Sequence, residues 1–120
     1  MAVVRDFREL KVWEKSHYLT LAIYRVTQNF PKEEIYGLTS QMRRSAASIP
    51  ANIAEGCGKG SDAELARYLQ IAMGSASELE YHLYLAKDLN YMHQQDYENL
   101  NLRVIEVKKM LGPFIKKLRS

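Results

Sequence analysis

Cysteine is almost missing from this 120-residue chain: Cys57 stands alone. A single thiol excludes an intrachain disulfide framework and makes a reducing, intracellular setting the expectation. Proline and glycine are scarce, at three and six residues, while 47% of the chain is hydrophobic. That balance describes a folded globular protein and excludes a disordered one. No stretch approaches the roughly 20 apolar residues that a membrane span requires. The opening MAVVRDFREL holds no apolar core long enough for a signal peptide, so a cytoplasmic location is expected. Strand signals are also nearly absent. One domain over residues 1–120 is expected, large enough to bury about two thirds of the surface of the unfolded chain.

What is present is helical and unevenly charged. Residues 1–60 carry nine Lys/Arg against six Asp/Glu, and residues 61–102 carry two against seven. Residues 103–120 carry Arg103, Lys108, Lys109, Lys116, Lys117 and Arg119 against Glu106 alone. A basic terminal helix can attract phosphate backbones or an acidic partner. Lysines in that position also simply suit the helix dipole. The acidic middle is the internal counterweight, because it would neutralise the tail if the two lay side by side.

Helical periodicity recurs four times. Helix one is expected from about Asp6 to Phe30, stopped by Pro31; helix two covers about Gly37 to Gly58. Helix three starts at Ser61, where Ser61 and Glu64 fit a capping box, and ends near Asn90, a candidate left-handed cap. Helix four runs from about His93 to Leu118. Leu65, Leu69, Ala72, Ala76, Leu79, Leu83 and Ala86 alternate spacings of four and three. Tyr97, Leu100, Val104, Val107, Leu111, Phe114 and Leu118 repeat the pattern. A 3.5-residue period with short connections predicts an all-α, antiparallel up-down-up-down four-helix bundle. Helix one carries two apolar stripes: Leu10, Trp13, His17, Leu21 and Tyr24, and, roughly opposite, Val12, Leu19, Ile23, Val26 and Phe30. A helix apolar on two sides must bury both, so a homo-oligomer is expected, with Val12, Leu19, Ile23, Val26 and Phe30 as the candidate subunit interface.

The central stretch from Tyr36 to Gly60, YGLTSQMRRSAASIPANIAEGCGKG, sets Pro50 inside helix two. Proline there removes one backbone hydrogen bond, frees the Ala46 carbonyl and costs about 3 kcal/mol or more. Arg43 and Arg44, 100° apart on the helix, cannot point the same way; one is expected to form an ion pair with Glu55 or Glu78. Catalytic chemistry is expected to be absent. Glu14 and His17 give one Glu-x-x-His spacing, but Glu78 and His82 are four apart and no second pair completes a di-iron set. The string Gly56 to Ser61 fails as a phosphate loop, because Ile53 stands where the first glycine belongs and Gly60 where Ser/Thr belongs. Cys57 has no partner for redox or nucleophilic work. No cofactor or metal is expected, and the chain reads as a non-enzyme.

Several runs together resemble a bacterial family of four-helix-bundle proteins, the 23S rRNA-intervening sequence proteins. They are Leu10, Val12 and Trp13; Phe30 to Glu34; Tyr36-Gly37-Leu38; Gln41 with Arg43-Arg44; Ser48-Ile49-Pro50; Asn52 to Gly56; Glu78-Leu79-Glu80; and Ala86 to Leu89. The accessory variability determinant of diversity-generating retroelements looks like a relative. Cys57 stands where that family often has a bulkier aromatic residue, Lys59 where arginine is common, and Asn90 and His93 where glycine and serine are frequent. The resemblance implies a homo-oligomer, typically a pentameric ring, and association with RNA inferred from genes lying inside ribosomal RNA insertions. In the retroelement relatives it implies binding of a reverse-transcriptase-like protein and nucleic acid through basic surfaces. Two readings follow. One is an RNA- or DNA-binding accessory protein using Arg103, Lys108, Lys109, Lys116, Lys117, Arg119 and Lys59. The other is a scaffold whose basic helix docks an acidic protein.

Overall fold

A backbone that reads as helix almost end to end has to fold by packing helix against helix, and here it does. The structure, a computed structural model, describes residues 5–120. Residues 1–4, part of the expected 1–120 domain and of the opening stretch read for a signal peptide, lie outside the described residues. Four helices follow one another: α1 Lys11–Thr27, α2 Leu38–Cys57, α3 Asp62–Asp88 and α4 Gln94–Arg119, with short 3-10 turns at Phe7–Glu9 and Lys32–Glu34. No strand occurs among the described residues. Cross-helix pairs give the direction of each neighbour. Thr20 meets Ala46 and Thr27 meets Arg43 between α1 and α2. Arg44 meets Glu78 and Ser48 meets Ser75 between α2 and α3. Lys108 meets Glu80 and Arg119 meets Gln70 between α3 and α4. In every pair one number rises as the other falls, so consecutive helices are antiparallel in an up-down-up-down bundle measuring 49 × 23 × 19 Å.

The predicted seam of α3 is buried at every position from Leu65 to Ala86. That of α4 holds through Leu100, Val104, Val107 and Leu111, then passes to Ile115 rather than Phe114. Phe114 is only half-buried and lies under the Arg5 guanidinium, 5.8 Å from its ring centre. The stripe of α1 that begins at Val12 is a correction. Val12, Leu19, Ile23 and Phe30 sit in the subunit's own core, and Val26 is half-buried against it, so this stripe cannot be the subunit interface. Of the opposite stripe, Leu10 and Trp13 are half-buried against the core, while half-buried His17 and Leu21 and exposed Tyr24 are left facing outward. Trp13 and His17 stack with ring centres 4.9 Å apart and planes 7° apart.

Helix α1 is also shorter than its periodicity. Asp6 caps the 3-10 turn instead, accepting a 2.9 Å hydrogen bond from the Arg8 amide, and extended Leu10 separates that turn from the helix. At the other end α1 stops at Thr27, Gln28 keeps helical dihedrals as its C-cap, and Phe30 turns inward to the core. Ser61 forms one half of the expected capping box, accepting from the Glu64 amide at 3.1 Å, whereas the Glu64 carboxylate turns to Arg67. Asn90 takes the left-handed conformation, φ 63°, as its position after α3 predicts.

Pro50 does free the Ala46 carbonyl, and Thr20 of α1 supplies a replacement donor. The Thr20 hydroxyl lies 3.0 Å from Ala46 O and 2.8 Å from Ser16 O, sharing its one proton between them. The proline's lost bond thus becomes a buried tie from α2 to α1. Between α2 and α3 the ties are small residues. A Cβ added at Gly56 would stand 2.8 Å from Tyr68 Cβ and 3.0 Å from Leu65 Cδ1, so the end of α2 meets α3 only because residue 56 has no side chain. At the other end of the bundle Glu34 joins three elements. Its Oε1 accepts from the Leu38 amide at 3.0 Å and caps α2, and its Oε2 accepts from the Tyr91 hydroxyl at 2.9 Å. Gly37 leaves room for that carboxylate, since a Cβ there would fall 2.6 Å from Glu34 Oε1.

Candidate nucleic-acid interface

The adjacent arginines diverge as the helix demands. Arg44 pairs with Glu78 across the α2–α3 crevice, Nη2 to Oε2 at 3.1 Å, with both side chains substantially exposed. Arg43 has no acidic partner among the described residues. Its Nε donates to the Thr27 hydroxyl at 2.8 Å, Nη2 reaches Tyr24 O at 3.4 Å, and the guanidinium lies 4.9 Å from the Tyr24 ring centre. The positive charge thus covers the last carbonyl-rich turn of α1, where the helix dipole favours it. Of the two acids expected as partners, Glu78 is therefore the one engaged; Glu55 meets neither arginine and lies one turn from Lys59, at 4.0 Å. Lys59 also rests 5.5 Å from the Tyr68 ring centre.

No nucleophile–base–acid set is legible in the sequence, yet the fold assembles one in outline. His82 Nδ1 is 3.5 Å from Ser45 Oγ, and its Nε2 is 3.8 Å from Glu78 Oε2. The arrangement cannot act on a substrate. Ser45 is 1% exposed and its hydroxyl donates to Met42 O at 3.2 Å, so nothing outside reaches it. Burial pushes the His82 imidazole below its ordinary 6.5; Glu78 pulls the other way and Arg44 adds to the fall. Burial wins because Glu78 is already engaged by Arg44. Ser48, Ser75 and Asn52 continue this line of hydrogen bonds along the crevice. Among the described residues, no group of three or more His, Cys, Asp or Glu is placed to hold a metal ion.

The basic residues of α4 answer the question of neutralisation. Lys108 lies on Glu80 of α3, Nζ to Oε1 at 2.8 Å. Arg119 donates to the uncharged Gln70 at 3.3 Å. Arg103, Lys109, Lys116 and Lys117 form no ion pair among the described residues, and the last three are exposed. Glu106, the one acid of the tail, is taken by Lys15 of α1 at 3.1 Å. The acidic α3 thus cancels one of six tail cations, and α1 cancels the tail's only acid. Lys59 is on neither α3 nor α4; it follows the C-terminal end of α2, beside Glu55.

Other surface features escaped the sequence. A furrow of about 320 Å³ between α1 and α4 is lined by Arg25, Asn29, Asn99 and Arg103 over Ala22, Val26 and Leu100, with Asp96 beside them. On the outer side of α3 and α4, Tyr81 and Tyr84 are exposed and Tyr97 is half-buried. The Lys87 ammonium lies 4.0 Å from the Tyr84 ring centre and 4.9 Å from that of Tyr97. Helical spacing alone sets Tyr81, Tyr84 and Lys87 near one another on α3, three residues apart in turn. Tyr97 joins them only once α4 is set against α3.

No described helix is long and apolar enough to cross a membrane. No curated protein matches the chain. Among solved structures, one from Bacteroides thetaiotaomicron VPI-5482, described as a protein of unknown function from the S23 ribosomal protein family, is 32% identical. The match covers 88% of this chain and 98% of that one with a TM-score of 0.79. A family profile described as 23S rRNA-intervening sequence protein matches residues 8–113. With the match spanning all four helices but the end of α4, the chain belongs to the 23S rRNA-intervening sequence protein family.

Proposed function

We propose that this protein is a non-enzymatic, homo-oligomeric nucleic-acid-binding accessory protein that takes single-stranded or structured RNA through the outer side of α4. The observation that carries this reading is the set of tail cations left without acidic partners: Arg103, Lys109, Lys116 and Lys117, together with Arg119 on a neutral glutamine. Cations that compact folding leaves unpaired are available to release counterions from a phosphate backbone. The family's name supports ribosomal RNA as the class of partner, and resemblance to retroelement accessory proteins adds a reverse-transcriptase-like protein as a second partner.

Assembly belongs to the same reading. The stripe of His17, Leu21 and Tyr24, with the small Ala47 and Ala51 one and two turns beyond Arg43, lies outside the core, next to Trp13, which is half-buried against it. We take it as the subunit interface, with five copies favoured by the family resemblance. A ring would repeat the basic side of α4 and raise affinity by avidity rather than base readout.

The test is the ultraviolet absorbance ratio of protein purified without nuclease, combined with sequencing of whatever nucleic acid is extracted. Enriched RNA in wild type that is lost after Lys109, Lys116 and Lys117 are replaced by glutamine is the expected result. Nucleic-acid-free protein that instead retains an acidic polypeptide would favour the scaffold reading.

A further inference from the structure

We propose that the furrow between α1 and α4 is a phosphate-ester site, in which Arg25 and Arg103 clamp one phosphate and the apolar floor receives the attached nucleoside. The inference rests on the nucleic-acid reading above, and it adds a specific site where that reading supplies only a charged surface. Two guanidiniums from different helices line one concavity, and neither has an acidic partner among the described residues. Like charges held toward a common space repel unless an anion lies between them. Guanidinium forks bind phosphate oxygens bidentately, as lysines cannot. Asn29 and Asn99 flank the same space with amide donors and acceptors suited to the edge of a base, while Ala22, Val26 and Leu100 offer an apolar face. At about 320 Å³ the furrow lies at the lower end of the range for small-ligand sites.

Asp96 supplies an internal check. It lines the same furrow and is exposed. A carboxylate beside a bound phosphate repels it, so removing that charge should strengthen binding, an effect of opposite sign to removing either arginine. All three side chains lie outside the core, so their replacement leaves the fold intact.

Calorimetric titration of the full chain with sodium phosphate, with 5′-nucleoside monophosphates and with a short single-stranded RNA tests the site. Arg25→Gln and Arg103→Gln should each weaken binding of the probes about tenfold or more, and Asp96→Asn should tighten it. Because both arginines clamp one phosphate, the double arginine variant should flatten the salt dependence of RNA binding by about 0.7 in slope. Nucleotide binding that responds to these variants without RNA binding assigns the site to free esters. RNA binding that responds without nucleotide binding assigns it to the backbone. Either pattern upholds the site. Unchanged affinity in the double variant, or no binding of any probe to wild type, overturns it. If RNA binding survives the double variant but fails on replacing Lys109, Lys116 and Lys117 by glutamine, the nucleic-acid function stands and the furrow alone falls.

Discussion

Single side chains decide several questions that a sequence can only pose. The spacing of Arg43 and Arg44 predicts that they diverge, and they do, but it cannot say which one matters more for stability. The ion pair of Arg44 with Glu78 is open to water, so Arg44→Ala should cost less than about 1 kcal/mol. Arg43 is half-buried on the Thr27 hydroxyl and the Tyr24 ring, and Arg43→Ala should cost about 1–2 kcal/mol through the charged hydrogen bond and the ring contact. Urea melts of the two variants check the order; equal midpoints would show that the Thr27 contact contributes nothing. The carbonyl freed by Pro50 was legible from the sequence, but its new donor was not, because Thr20 is 26 residues away. Thr20→Val should cost about 1–3 kcal/mol by stranding that buried carbonyl, and Thr20→Ser should cost less. His82 gives a pH signature. Its native value lies below 6.5, so the unfolded chain binds the proton first as pH falls. The contribution is complete above 6.5 and is lost on acidification from 6.5 towards the lowered native value, with Ser45, Glu78 and Arg44 the groups that face the ring. His82→Gln should remove that slope from the stability profile.

At the scale of elements, periodicity located four helices and both long seams because heptad spacing reports burial directly. It failed at ends, where capping chemistry competes. Asp6 prefers to cap a 3-10 turn, so α1 begins five residues later than the apolar pattern suggests. It also failed to choose between the two stripes of α1, since a helical wheel shows two apolar sides without saying which neighbour covers each. Close approach was hidden as well: nothing in the string around Gly56 reveals that Tyr68 lies against it. Gly56→Ala should destabilise by about 1–3 kcal/mol through overpacking against Tyr68 and Leu65. For a chain of this length that is a fall of about 4–6 °C in melting temperature per kcal/mol, measurable by circular dichroism. In the sequence Glu34 is one acid of the Phe30–Glu34 run, yet in the fold it ties the α1–α2 connection to α2 and to Tyr91. The Leu38 amide and the Tyr91 hydroxyl hold its carboxyl below the ordinary 4.5. That stabilisation is present above 4.5 and disappears as pH falls through the lowered value, a dependence that Glu34→Gln should abolish.

For the whole molecule, the charge asymmetry was legible and its consequence was not. The acidic α3 and the basic later part of α4 do lie against each other, and the sequence alone would allow wholesale neutralisation. The geometry commits only Glu80 to the tail. The proposed assembly uses the outward stripe of α1, and the family resemblance is what implies five copies. Leu21→Glu should yield a folded species near 13.9 kDa by light scattering, where the proposed assembly predicts a wild-type mass about five times larger. A glutamate at Leu19, wholly buried, should unfold the subunit instead.

The account stands most directly on the salt dependence of RNA binding, measured by fluorescence anisotropy with labelled single-stranded RNA. If five α4 cations each meet one phosphate, the logarithmic slope is about −3.5, and raising salt from about 50 to 200 mM weakens binding about a hundredfold. Replacing Lys109, Lys116 and Lys117 by glutamine should bring that slope to about −1.4 while the mass by light scattering is unchanged. A slope and affinity identical in the triple variant and wild type would contradict the claim that the outer side of α4 is where this protein meets nucleic acid.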